Sequence, residues 1–187
     1  MGRPKALLPV DRTGEMFLQR ITRTLKDAGL DDLLVVVGAD AAAIRRAVPP
    51  EPGVRIVDNP DWEQGQLTSL LAGLRAVDSS HAAAILMTLV DVPLVSSATV
   101  RTLLQVHHDC GAPIVRPVSK GRHGHPVIFG HALFDELLRA DPLLGAKPVV
   151  RAHAAEIVEV AVEDEGAFTD IDTREDYGRW IGLESPP

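Results

Sequence analysis

The chain has 187 residues, a length that fits one domain over residues 1–187. Hydrophobic residues make up 45% and charged residues 24%, which supplies a buried core and argues against disorder. Nineteen basic and 26 acidic side chains leave a net charge of −7, against general binding to nucleic acid or an anionic membrane surface. No apolar run approaches the ~20 residues of a membrane helix, and the lone Cys110 excludes an internal disulfide and points to a cytoplasmic setting.

The first ten residues, MGRPKALLPV, are no signal peptide, because Pro4 and Pro9 interrupt the short apolar stretch. A myristoylation signal is excluded by Ala6, which stands where a Ser or Thr is required. Phe17, Leu18, Ile21, Leu25 and Ala28 recur at helical spacing, and Gly29 is a natural stop. The run LLVVVG at 33–38 reads as a strand buried on both faces. Residues 41–48 read as a helix ended by Pro49 and Pro50, and residues 54–57 as a strand. A second amphipathic helix over 66–77 carries Leu67, Leu70, Leu71 and Leu74 on one face. Residues 84–89 form a further buried strand before Asp91-Val92-Pro93, and 99–108 are again helical. This alternation predicts right-handed crossovers and a mostly parallel sheet in an α/β fold. Farther on, 112–115 and 127–129 read as strands around the polar loop SKGRHGH, 132–139 as a helix, 157–162 as a strand and 173–180 as a closing helix.

Several polar residues fall where chemistry can be placed. Asp91 follows the apolar run AAAILMTLV, and ligands of open α/β sheets bind beyond such strand ends. A carboxylate there can hold Mg²⁺ against phosphate oxygens, or simply cap the turn before Pro93. In DIDTREDY, Asp172 or Thr173 can cap the last helix, with Glu175 and Asp176 facing the positive end of its dipole. That account does not need Asp170. Asp170 and Asp172 alternate on an extended segment, so only one of them can serve as a second metal carboxylate. Gly65-Gln66-Leu67-Thr68-Ser69 opens a helix whose free N–H groups suit a nucleotide, or are an ordinary helix start. Lys5, between packing residues, can act as a point charge on phosphates, or be a solvated lysine. The seven histidines lack the cysteine or HExxH partners of a zinc site, and no base beside Cys110 activates it as a nucleophile. His125, before Pro126, is better placed in a polar substrate loop.

Taken in order, MGRPKALLP, VVVG, NPDWEQGQLTSLLAGL, LVDVP, GRHGHPVIF and DIDTREDY resemble the MobA-like NTP transferase family. Gly124-His125-Pro126 is most similar to the molybdenum cofactor cytidylyltransferase branch. The resemblance covers essentially the whole chain. It implies a three-layer, Rossmann-like, mostly parallel sheet of the nucleotide-diphospho-sugar transferase type. It implies a Mg²⁺-dependent cytidylyltransferase that moves CMP from CTP to a molybdopterin-type acceptor and releases pyrophosphate, with a molybdoenzyme maturation partner. By the same resemblance Lys5 binds the triphosphate, Asp91 and Asp170 hold Mg²⁺, and Asn59, Gly65 and Ser69 line the base pocket. Gly124, His125 and Pro126 then face the acceptor. Alternatives are transfer to another small molecule, a non-catalytic cofactor-binding remnant, and more distantly an oxidoreductase of this fold, although no GxGxxG fingerprint is visible.

The resemblance also implies a first strand and a glycine-rich loop of the form LAAGxSxRMGxPK, of which residues 1–5 match only the end. The strands at 33–38 and 84–89 are then expected to lack the strand between them, and the chain to be poorly soluble and inactive alone. Val92 and Arg174 replace a methionine and a proline frequent in the family, without consequence for the fold.

Overall fold

The computed structural model describes residues 3–183. Helix α1 (Phe17–Asp27) buries Phe17, Leu18, Ile21 and Leu25 on the face their spacing predicts. The Gln19 side chain accepts from the Met16 N–H at 2.9 Å and closes its first turn. Strand β1 (Leu33–Val37) runs parallel to β2 (Val54–Asp58), and α2 (Ala41–Ala47) makes the crossover between them.

Helix α3 (Gln66–Ala76) leads to β3 (Ala84–Met87), and α4 (Ser97–Cys110) follows. The Ser96 hydroxyl accepts from the Thr99 N–H, and Gly111 ends α4 in the left-handed region at φ 62°. Then come β4 (Ile114–Ser119), β5 (Arg122–His123), β6 (Val127–Gly130), α5 (Phe134–Arg139), α6 (Lys147–Ala152), β7 (Ile157–Ala161) and α7 (Arg174–Ile181).

The α/β class and layering expected from the sequence are present, with a mixed sheet. Strand β7 lies parallel to β4, whereas β6 is antiparallel to both β3 and β4. Strand β5 lies within the stretch whose sequence predicts a polar loop. It pairs because Lys120 and Gly121, at φ 50° and 76°, make a two-residue turn that matches strand twist.

Alternate residues of β3 enter different core layers. Ile85 and Met87 pack with Leu74, Phe129, Leu133 and Leu137. Ala84 and Leu86 pack with Leu103 and Ile128 of a second cluster, and Leu86 also reaches Ile21, Leu25, Val95 and Val100. Helices α3 and α5 thus cover one face, and α1 and α4 the other. Among the described residues β1 pairs only with β2, and β3 only with β6, so the two ladders are joined through these helices rather than through hydrogen bonds. All of β3 is half-buried, less enclosed than a strand covered on both faces. Among the described residues no helix is long and apolar enough to cross a membrane.

Candidate active site

The polar residues singled out at the end of β3 collect around one point. Ala6 is buried in a cluster with Leu18, Val37 and Ile44, which anchors the N-terminal segment at the end of β1. From there Lys5 reaches across the gap between the ladders. Its Nζ lies 3.5 Å from Asp91 Oδ2 and donates to Asp172 Oδ1. Partial burial pulls the Lys5 ammonium down, but Asp172 and Asp91 outweigh it, so its pKa stands above the ordinary lysine value.

Asp91 sits in the turn after β3, and one of its carboxylate oxygens, Oδ1, is buried without a protein partner. The Ile171 N–H donates to the Asp91 carbonyl oxygen at 2.8 Å, which draws residues 169–172 alongside. Asp170 therefore stands near Asp91. Partial desolvation, and then the like charge of Asp91, push its carboxyl above the usual carboxylate range against the opposing pull of His125 and Lys5.

His125 approaches from the strand beside β3. It is followed by a cis peptide bond to Pro126, and its N–H donates to the Ala167 carbonyl at 2.8 Å. Burial depresses its pKa, only partly offset by Asp170, Asp91 and the Met87 backbone, and keeps the imidazole neutral near pH 7. Gly124 has a packing reason. A Cβ there would fall 2.2 Å from the Ala167 carbonyl oxygen and 2.7 Å from the Phe168 ring. Gly124 and Pro126 are both buried, so of the three loop residues His125 offers the polar group.

Three side-chain polar atoms among the described residues are buried with no partner: Thr88 Oγ1, Asp91 Oδ1 and His125 Nδ1. Thr88 and Asp91 follow β3, and His125 precedes the strand paired with it. Buried polar groups are normally satisfied, so orphans gathered at one strand end mark a place where water or a ligand can supply the partners.

Asn59, Gly65 and Ser69 form a separate group at the start of α3. Asn59 is buried, and its Nδ2 donates to Thr68 Oγ1 at 2.8 Å and Ser69 Oγ at 3.0 Å. Its Oδ1 accepts from the Asp61 N–H at 3.0 Å, and its own N–H donates to the Val37 carbonyl at 2.8 Å. Asn59 thus ties the ends of β1 and β2 to the first turn of α3. Gly65, at φ 112°, turns the chain into that helix and is exposed.

A hard divalent cation suits the oxygen donors Asp91 and Asp170. Among the described residues no group of three or more His, Cys, Asp or Glu is arranged to hold a metal by itself. The pair fits Mg²⁺, which characteristically takes one or two carboxylates and fills its shell from phosphates and water. Asp172, committed to Lys5, is the ion-pair partner. Its side chain is also needed less by α7 than the sequence allowed, because Thr173 and Asp176 form the capping box.

Sequence reading passed over Thr88 and the Lys5–Asp172 pair. A hydroxyl inside the apolar run AAAILMTLV was a usable signal for the first. Contact between Lys5 and Asp172 had none, since it depends on the whole fold.

The family model described as the MobA-like NTP transferase domain matches residues 1–157. The chain is 31% identical to the nicotine blue oxidoreductase of Paenarthrobacter nicotinovorans, over 97% of this chain and 90% of that protein. It is 24% identical to the molybdenum cofactor cytidylyltransferase of Escherichia coli strain K12, over 95% and 86%. Among solved structures, Rv0371c from Mycobacterium tuberculosis H37Rv superposes with a TM-score of 0.79 at 30% identity, covering 98% of this chain and 91% of that one. Its complex with manganese gives 0.74 at 29% identity, over 97% and 94%.

Proposed function

The chain belongs to the MobA-like NTP transferase family and is a nucleotidyltransferase, and from that premise we propose that it moves CMP from CTP to a phosphorylated small molecule of the molybdopterin type. A phosphate oxygen of the acceptor forms the new bond to the α-phosphorus, the bond from that phosphorus to the β-phosphate bridging oxygen breaks, and pyrophosphate leaves.

The observation that carries this reading is the convergence of Lys5, Asp91, Asp170 and neutral His125 at one strand end. Phosphoryl chemistry of this kind needs positioning and charge neutralisation more than a protein nucleophile. Lys5, held on a short anchored segment, offers a fixed positive charge to the triphosphate. Asp91 and Asp170 would hold Mg²⁺, which when bound neutralises phosphate charge. His125, uncharged and half-buried, presents a polar edge to the acceptor without adding charge. Asn59 and Ser69 shape the wall at the start of α3 where the base would lie, and Gly65 opens it.

The cytidylyltransferase relative supports cytosine and a molybdopterin-type acceptor. The nicotine blue oxidoreductase relative supports a second reading, redox chemistry on a small aromatic substrate in the same crevice. Pyrophosphate release measured with CTP, GTP, ATP and UTP, with and without molybdopterin, separates the two. CTP- and acceptor-dependent release supports the first reading. Release that needs a different acceptor keeps nucleotidyl transfer and changes the substrate. No release with any NTP, together with reduction of nicotine blue by an added two-electron donor, would replace it.

A further inference from the structure

Residues 164–171 form a strap that touches the start of α4, the turn after β3 and the segment that carries His125. The Asp164 carboxylate begins it. Its Oδ2 accepts from the Ser96 N–H at 2.9 Å and from Thr99 Oγ1 at 2.6 Å, both at the start of α4, while Oδ1 accepts from the Gly166 N–H at 3.1 Å. Gly166 then passes so close to the turn after β3 that a Cβ would fall 2.1 Å from the Leu94 carbonyl oxygen. Ala167, 1% exposed, accepts from the His125 N–H, and Ile171, fully buried, donates to the Asp91 carbonyl. The exposed Asp170 rides on the end of this strap.

We propose that Asp164 is a positioning residue for the metal carboxylates: by clamping the strap to the start of α4 it fixes Asp170 opposite Asp91. Three charge-assisted hydrogen bonds accepted by one carboxylate are a strong local constraint. Both oxygens are used, one toward α4 and one toward the strap itself, so the carboxylate sets spacing as well as attachment. Without it the strap keeps its contacts at Ala167 and Ile171 but loses the anchor that fixes its slope. A carboxylate a fraction of an ångström out of place is a poor partner for a cation that demands near-ideal octahedral geometry. The inference rests on the reading of Asp91 and Asp170 as the metal pair.

The experiment is a titration of the full chain with Mn²⁺ alone, followed by electron paramagnetic resonance, with thermal melts as a control on folding. Asp170→Asn is expected to weaken Mn²⁺ binding. Asp164→Ala is expected to weaken it about 10- to 100-fold, the range typical of residues that orient metal ligands. Acting through Asp170, it should add little in the Asp164→Ala/Asp170→Asn double variant. Thr99→Val, which removes one donor and leaves the carboxylate, should show a smaller loss in the same direction and carries the test if Asp164→Ala does not fold. Wild-type Mn²⁺ affinity in Asp164→Ala or, if that variant does not fold, in Thr99→Val, with Asp170→Asn weakened, overturns the inference. So does full additivity in the double variant. Wild-type affinity in Asp170→Asn instead removes the reading of the metal pair on which it rests.

Discussion

The backbone N–H of Ile171 donates to the carbonyl oxygen of Asp91 at 2.8 Å. This one bond joins the C-terminal strap to the turn after β3 and brings two like-charged carboxylates together. Proximity of that kind is unfavourable unless a cation or proton shares it, and it adds to the desolvation that is the larger cause of the raised pKa of Asp170.

Replacing Asp91 by Asn therefore has a defined consequence for its neighbour. The pKa of Asp170 should fall back toward the ordinary value of 3.8, though not all the way, since desolvation is the larger cause and remains. Carboxyl carbon shifts of Asp170 followed by NMR against pH give the result directly. An unchanged or higher pKa would show that the two carboxylates do not face each other. Mg²⁺-dependent pyrophosphate release should be lost in the same variant.

Lys5 is the cation that balances this acidic end. Lys5→Ala should lower kcat by about 10²- to 10³-fold, the usual effect of removing one group that stabilises developing charge. Lys5→Arg keeps the charge but spreads it over a planar fork, so only partial activity should return. Steady-state kinetics at saturating Mg²⁺ measure both. A Lys5→Ala variant with undiminished kcat would reduce Lys5 to the counter-ion of Asp172.

Asn59 was placed in a base pocket on resemblance, and its hydrogen bonds give it a structural task as well. Asn59→Ala leaves the Asp61 N–H and the Ser69 hydroxyl without this partner, removes the donor to Thr68, and should cost about 1–3 kcal/mol. For a chain of this size that lowers the melting temperature by roughly 2–4 °C per kcal/mol. Asn59→Asp is the milder probe, because a carboxylate still accepts from the Asp61 N–H and from the Ser69 hydroxyl, while Thr68, whose O–H is committed to the Asp61 and Gly65 carbonyls, loses its donor. A melting temperature unchanged in both variants would contradict the network.

Local features were legible in the sequence wherever local physics decided them. The apolar spacing of Phe17, Ile21 and Leu25 marked α1, and Asp172 or Thr173 ahead of Glu175 and Asp176 marked the start of α7, because periodicity and capping act within a turn or two. Asp91 was legible as a candidate, beside the reading of a turn cap before Pro93, because it follows a buried run where ligands of open α/β sheets bind. Its partners were not legible from local pattern, and only the family resemblance placed Lys5, Asp170 and His125 at the same site. Lys5, His125 and Ile171 come from three distant parts of the chain, and only the packed layers bring them to one point. Helix α6 was missed because six residues containing a proline carry too little period, although Pro148 sits in its first turn where proline is tolerated. The clamp of Asp164 was invisible for the same reason as the others: its donors, Ser96 and Thr99, lie across the fold.

His125 combines the site with a pH effect whose sign can be worked out. Burial holds its folded pKa below the unfolded value of 6.5. Between the two values the unfolded chain binds the proton and the folded chain does not, so stability must rise with pH there. The contribution is present above about pH 6.5 and is lost as pH falls through the depressed folded value. His125→Gln, which keeps a polar side chain of similar reach but cannot titrate, should flatten this part of the curve of melting temperature against pH. The same variant tests the acceptor assignment. If His125 faces the acceptor, KM for the acceptor should rise while KM for the NTP stays near wild type. A collapse in NTP affinity would move this loop to the nucleotide side of the crevice. An unchanged pH profile would mean that the imidazole is solvated in the folded chain, and with it the argument that a neutral His125 presents a polar edge to the second substrate would fall.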